Sequence, residues 1–359
     1  MLSMLVIDGS YGEGGGAVLR NSLSLSAVLG QETRIENIRA RRRNPGLQAQ
    51  HLTAVLALSR VCRAELEGAE LRSQNLTFSP QSSPRSGDYS WDVAKARKGG
   101  SAGATTLIFQ ALLVPLLFAE GKSRVILRGG THVAWSPPFH YLQHVYLPAL
   151  QPLGMQAEVQ IERWGWYPIG GGLISGEIEG GGTDLSPPGG LQIGERGQLK
   201  KVWGISAISN LPEHIARRQK AQVETELRAH GLEPRVETVD APAQGQGTVV
   251  FLVAEFERTR AGFTSLGLKG KPAERVATEA CEHLLRHYRS GAALDQHLAD
   301  QLIIPLSLAQ GPSVFTTYRV TQHLLTNAWI AQQFLGREVI IEGSEGEPGK
   351  VTISGRTDV

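Results

Sequence analysis

The sequence predicts a mixed α/β (α+β) fold in which one two-helix unit occurs three times, with a small α/β domain inserted before the last copy. Three observations predict it. A helix-strand-helix-strand order recurs in three stretches of the chain. A Gly/Pro-rich segment, IEGGGTDLSPPGG (residues 178–190), follows the second stretch. Beyond it the order changes to β-α-β-β before the third stretch begins. A large domain is therefore expected over 1–185 and 277–359, and the insert over 186–276.

In the first copy, AVLRNSLSLSAVLG (17–30) reads as a helix after a glycine cluster, and TRIENIRA (33–40) as a strand. PGLQAQHLTAVLALSRVC (45–62) reads as the second helix and AELEGAEL (64–71) as the second strand. In the second copy, GGSAG leads into the helix ATTLIFQALLVPLLFAEG (104–121), then the strand SRVILRGG (123–130). PPFHYLQHVYLPALQPLG (137–154) and MQAEVQIER (155–163) complete it. The insert supplies LKKVWGISAIS, the basic helix PEHIARRQKAQVETELRAHG, EPRVETVDA and GTVVFLVAEFE, and ends near GFTSLGLKGKP. A long helix, KPAERVATEACEHLLRHYRSG (271–291), leads back to the third copy. That copy reads LADQLIIPLSLAQG, VFTTYRV, VTQHLLTNAWIAQQFL (320–335) and REVIIEG.

The 359 residues are 41% hydrophobic, enough for a sizeable core, and their net charge of +2 excludes a global basic field. Any polyanion contact must rest on a local cluster. Cys62 and Cys281 lie far apart in helix-like apolar patterns, so reduced, buried thiols are expected and neither zinc spacing nor a disulfide framework is offered. The start lacks the basic and apolar regions of a signal peptide. Gln110, Pro115 and the strand that follows argue that the apolar run at 104–121 is a buried core helix and not a membrane span. A soluble cytoplasmic protein with no membrane partner is expected.

Several stretches offer chemistry. In YGEGGGAVLR (11–20), glycines before a helix let backbone N–H groups face an anion; Glu13 can hold Mg²⁺ and Arg20 a phosphate. A glycine-rich turn with a solvated acid explains the motif equally and is favoured on the motif alone. IRARRRNPGLQAQHL (38–52) places Arg39, Arg41, Arg42 and Arg43 before an N-P-G turn that opens a helix, a plausible bidentate phosphate site or a charged surface strand. If that strand alternates, Arg39, Arg41 and Arg43 share one face and Arg42 the other. Gln110, alone in an apolar run, is either satisfied by backbone or reads a ligand. His132, His140 and His144 lack metal-site spacing and read as a pocket wall. Asp300 and Gln301 head an apolar helix, expected from the helix dipole or from adenine recognition. His323 opens the last helix, yet Gln-His pairs recur as Gln50-His51, Gln143-His144 and Gln322-His323, so spacing alone makes it ordinary.

Taken in order, YGEGGGAVLR, IRARRRNPGLQAQHL, the glycine entry to Gln110, RGGTHVAWSPP, GWYPIGGG (165–172), GKPAERV, HLADQLIIPLSLA and QHLLTNAW resemble the RNA 3′-terminal phosphate cyclase family along most of the chain. The resemblance implies three repeats like the C-terminal domain of translation initiation factor three, with a small insert domain. It implies ATP-dependent conversion of an RNA 3′-phosphate to a 2′,3′-cyclic phosphate through a covalent histidine–AMP, releasing AMP and pyrophosphate. The matching positions make His323 the nucleophile, with Arg20 and Arg42 as catalytic cations and Glu13 holding Mg²⁺ or Mn²⁺. Gln50 would line the same site, Gln110 and His297, Leu298, Ala299, Asp300 and Gln301 would bind ATP, and Pro137 would pack on adenine. His297 stands where relatives usually carry Tyr, Ala17 where they carry Gln, and His140 aligns with an acidic position. KARKGG is also longer and more basic than the usual entry to the second repeat. Two other readings are a non-catalytic relative associated with ribosome assembly and an enolpyruvyl-transferase-like enzyme.

Overall fold

The computed structural model describes residues 3–98, 100–182 and 190–355. Part of the expected Gly/Pro junction, 183–189, and Gly99 of the second glycine entry lie outside the described residues.

The chain begins with β1 (Leu5–Asp8), α1 (Gly16–Leu29), β2 (Thr33–Glu36), α2 (Ala49–Cys62), β3 (Glu65–Glu67) and β4 (Leu76–Ser79). A second unit follows as β5 (Asp88–Asp92), α3 (Thr105–Leu117) and β6 (Glu120–Gly129). Its second helical run is α4 (Phe139–Tyr141), which passes through a π turn into α5 (Leu147–Leu150), before β7 (Gln156–Arg163) and β8 (Gly172–Gly181). Next come β9 (Gln192–Ile193), β10 (Leu199–Ser209), α6 (His214–Arg228), β11 (Pro234–Asp240), β12 (Gly247–Phe256), β13 (Arg260–Leu266) and α7 (Ala273–Ser290). The chain closes with α8 (Gln296–Leu308), β14 (Ser313–Thr317), α9 (Gln322–Leu335), β15 (Val339–Glu342) and β16 (Gly349–Ile353).

Three sheets share one topology. Their orders are β1-β2-β4-β3, β5-β6-β8-β7 and β9-β14-β16-β15. In each, the first strand pairs parallel with the second, and the remaining two neighbours are antiparallel. The repeated unit is therefore β-α-β-α-β-β, with one strand more at each end than the helix-strand-helix-strand reading. The insertion, expected ahead of the third copy, instead follows that copy's first strand. β9 pairs with β14 through Val314↔Gln192 and Phe315↔Ile193, and the intervening chain makes a fourth sheet, β11-β10-β12-β13.

One apolar core runs through all three units. α3 is its centre: Ile108, Phe109, Leu112, Leu113, Leu116 and Leu117 are inaccessible to solvent. No helix among the described residues is long and apolar enough to cross a membrane. The fourth sheet has its own core, in which Val202, Val250 and Leu252 meet Val223 and Leu227 of α6. Val276, Ala280, Cys281 and Leu284 of α7 join it, so the helix that the sequence reading divides at 276/277 packs with the insert along its length. Phe251 and Val253, on the other face of β12, belong to the large core, as the alternation of a strand buried on both sides requires. Cys62 and Cys281 are free and buried, and burial pushes both thiols up to about 12.

The histidines of the Pro-rich stretch form an interface here, not a pocket wall. His132 is buried and stacks on Trp164 at 4.0 Å between ring centres. One of its ring nitrogens lies 3.0 Å from His140 Nδ1. His140 and His144 reach Phe251 of the small sheet, and His144 meets the edge of Trp203.

His287 on α7 is fully buried beside Phe256, Phe263 and Tyr318, and neither ring nitrogen has a partner among the described residues. Burial, aided by the Arg196 charge, pushes its pKa down to about 3. The unfolded chain then binds one proton more than the folded chain between pH 6.5 and about 3, so this group costs stability as pH falls through that window. His287→Leu should leave stability at pH 7 little changed. At pH 5 it should raise the urea unfolding free energy relative to wild type by about 2 kcal/mol. A variant whose pH profile parallels wild type would contradict this.

Candidate active site

Three connections build the site from distant parts of the chain. The loop after β1 turns on Gly12 and Gly14, at φ 58° and 56°. A Cβ on Gly12 would lie 2.3 Å from Thr326 Oγ1, so glycine is what lets this loop approach α9. The Glu13 N–H donates to that same hydroxyl at 3.3 Å.

The second connection fixes α9. Thr321 caps the helix by accepting from the Leu324 N–H at 3.0 Å, and its hydroxyl donates to the buried Asp300 carboxyl on α8. Asn327, one turn on from His323, donates to the Asp300 carbonyl at 2.8 Å and accepts from Asn21 of α1 at 2.8 Å. These bonds use the buried face of α9 and leave His323, in its first turn, half exposed. Thr321→Ala should cost about 1 kcal/mol of stability, the value of a lost N-cap, read as a lower urea midpoint. An unchanged midpoint would show that Thr321 does not hold the helix start.

The third connection gathers charge on Glu13. Arg42 pairs with its carboxylate and donates to its carbonyl at 2.7 Å. His323 Nδ1 lies 3.4 Å from Glu13 Oε1. That oxygen is buried and lacks a hydrogen-bond partner among the described residues. Burial lowers the His323 pKa, with Glu13 opposing and Arg20 and Arg42 reinforcing the shift. The imidazole is thereby held neutral near pH 7.

Arg20 makes no ion pair among the described residues. Burial brings its guanidinium down to about 10, still charged at neutral pH, with Glu13 opposing and Arg39 adding to the shift. It meets His51 over Gly16, where an added Cβ would lie 2.5 Å from His51 Nε2 and 2.6 Å from Arg20 Nη1. His51 Nδ1 accepts from the Gln48 N–H at 3.2 Å, which leaves its Nε2–H aimed at this corner. Sequence reasoning treated His51 only as one of three Gln-His pairs. The Gly16 clearance that brings it to Arg20 has no signature in the sequence.

The alternating-strand picture of Arg39 to Arg43 fails. β2 ends at Glu36, and Arg39 sits in a turn at φ 54°. Arg39 holds the N-P-G turn by donating to the carbonyls of Asn44 (2.6 Å) and Gly46 (3.1 Å), while Arg42 alone of the four reaches Glu13.

Glu13, Arg20, Arg42 and His323 are thus brought together. Gln50, next to His51 on α2, turns to the second glycine entry, its side-chain oxygen accepting from the Ala104 N–H at 3.0 Å. Gln110 is satisfied by a side chain and not by backbone: it donates to Gln301 across α3 and α8. The carbonyl of Pro137 accepts from Thr106 at 2.7 Å, which ties the Pro-rich loop to α3. His297 is exposed beside the edge of Tyr141. Leu298 and Ala299 are core residues, and Asp300 serves the start of α9.

Comparison with known proteins places this arrangement. A model of the family described as RNA 3′-terminal phosphate cyclase matches residues 11–341. The RNA 3′-terminal phosphate cyclase of Methylococcus capsulatus is 49% identical over 99% of this chain and 97% of its own. That of Nostoc punctiforme is 48% identical over 92% and 94%, and that of Pyrococcus furiosus 40% over 98% of both. A solved enolpyruvyl transferase, NikO from Streptomyces tendae, aligns at 10% identity and a TM-score of 0.20, with 99% of this chain and 66% of that chain covered, too weakly to bear on the fold. The matched residues span both Glu13 and His323, and the chain belongs to the RNA 3′-terminal phosphate cyclase family.

Proposed function

We propose that this member of the family converts an RNA 3′-terminal phosphate to a 2′,3′-cyclic phosphate at the expense of ATP, with His323 as the group that carries AMP. The observation that carries this reading is a neutral, half-exposed imidazole whose Nδ1 faces Glu13, with Arg20 and Arg42 beside the same carboxylate. With hydrogen on Nδ1, the Nε2 lone pair is free to attack. It attacks the α-phosphorus of ATP; the bond to the bridging oxygen breaks and pyrophosphate leaves with the electron pair. An oxygen of the RNA 3′-phosphate then takes the adenylyl group from His323. The neighbouring 2′-OH attacks the 3′-phosphorus and loses its proton, and AMP departs as the ring closes. Arg20 and Arg42 would hold the phosphoryl oxygens on which charge accumulates.

The unpartnered Glu13 Oε1 suits a divalent cation, Mg²⁺ or Mn²⁺, completed by substrate phosphates as single-carboxylate sites are. Such a cation would neutralise phosphate charge. Gln50 would border the RNA phosphate. Gln110, Pro137, His297 and the α8 residues Leu298, Ala299, Asp300 and Gln301 would form the ATP side. The repeated units are read as relatives of the initiation-factor-three C-terminal domain. The insert, with α6 and α7, is a second domain, and the setting is cytoplasmic.

Incubation with Mg²⁺ or Mn²⁺ and α-labelled ATP, followed by denaturation, should leave label on the protein. RNA 3′-phosphate added before denaturation should remove that label and become phosphatase-resistant. Wild-type protein that never retains label with either metal would rule out the mechanism.

A further inference from the structure

A cavity of about 870 Å³ lies beside the candidate active site, lined by Asn44, Gln48, Arg72, Gln74, Arg97 and Lys98 among others. Its size is that of a small-molecule pocket, and its three cations and three amides share the wall with Pro45, Leu47, Ala49 and Leu71. Arg72, Arg97 and Lys98 are exposed and make no ion pair among the described residues. In a chain with a net charge of only +2, three unpaired cations around one hollow are a local electropositive feature.

Two segments of chain link the cavity to the site. Gln48 and Ala49, in the cavity wall, are followed directly by Gln50 and His51 at the site. In a second lining segment, Arg97 and Lys98 precede the loop whose Ala104 N–H donates to Gln50. An RNA whose 3′ end reaches His323 must leave along some surface, and this one offers three cations and three amides next to the site.

We infer that the cavity takes phosphodiester groups of the single-stranded RNA upstream of its 3′ end, an inference that rests on the cyclase reading of the adjoining site. Contacts of this kind release counterions and make affinity salt-dependent, by about 0.7 in log K against log salt for each phosphate held. Recognition would be indifferent to base sequence.

The test measures binding of fluorescent 3′-phosphorylated RNAs, a dinucleotide and a dodecanucleotide, by anisotropy between about 50 and 200 mM salt. The variant Arg72→Gln/Arg97→Gln/Lys98→Gln should bind the longer RNA about tenfold or more weakly, with a salt slope shallower by about 2, while dinucleotide binding changes little. Should the triple variant unfold early, each single variant is expected to flatten the slope by about 0.7. Wild-type slope and affinity for the longer RNA in the folded variants would overturn the inference. Wild-type protein that binds RNA in this way but takes no label from ATP would overturn the cyclase mechanism and leave the groove standing.

Discussion

His323→Ala protein, given Mg²⁺ and α-labelled ATP and then denatured, should retain no label, and its cyclisation rate should fall by a factor of about 1,000 or more. The expectation follows from where the side chain sits. The hydrogen bonds that place α9 come from Thr321 and Asn327. His323 itself is half exposed, its Nδ1 3.4 Å from Glu13 Oε1. Its removal takes away the attacking nitrogen without opening the core, so the variant should unfold within about 0.5 kcal/mol of wild type. The wild-type adduct should be acid-labile and alkali-stable, because protonation of a phosphoramidate nitrogen makes it a leaving group. Label on the alanine variant equal to wild type would move the nucleophile elsewhere.

Arg20→Met should separate activity from stability. The guanidinium is desolvated without an ion-pair partner among the described residues, which costs free energy in the folded chain. Methionine fills similar space without the charge, so the urea midpoint should hold or rise. Cyclisation should nevertheless fall about 100- to 1,000-fold, as expected when one preorganised cation is lost from a developing phosphoryl charge. Lysine at the same position keeps the charge but not the bidentate fork and should recover only part of the rate. A methionine variant with wild-type rates would show that the unpaired charge serves something else.

The helices were the legible part of the fold. Apolar spacing over 320–335 and 104–121 corresponds to α9 and α3, because a buried stripe or an all-apolar helix leaves a long record in the chain. Strands were harder where glycine does packing work. β8, GLISGEIEGG, overlaps the stretch read as a Gly/Pro junction from residue 178, but a Cβ on Gly176 would lie 2.4 Å from the Phe109 ring. Its glycines let α3 lie against the sheet, and they erase the apolar alternation that announces a strand. β1 and β16 are four and five residues long, too short to show a period.

The candidate site was legible in its parts but not in its assembly. Glu13 and Arg42 stood out as an acid among glycines and a cation in a cluster, yet their pairing depends on a turn that residue patterning had assigned to a strand. The meeting of His51 with Arg20 depends on a hydrogen atom where Gly16 has no side chain. Family resemblance supplied the order of the pieces, and folding supplies the distances.

The bond from the Glu13 N–H to Thr326 spans 313 residues, and β9 finds β14 only after the whole insert has been made. Closing chain separations of this length delays the contacts that depend on them. The contacts within the first two repeats and the insert close shorter separations than those that bring α9 to Glu13. The pocket around Glu13 therefore depends on α9 reaching the first repeat, and a chain without α9 can present the arginines but not the histidine. Covalent nucleotide on this protein would thus report that α9 has docked on the first repeat.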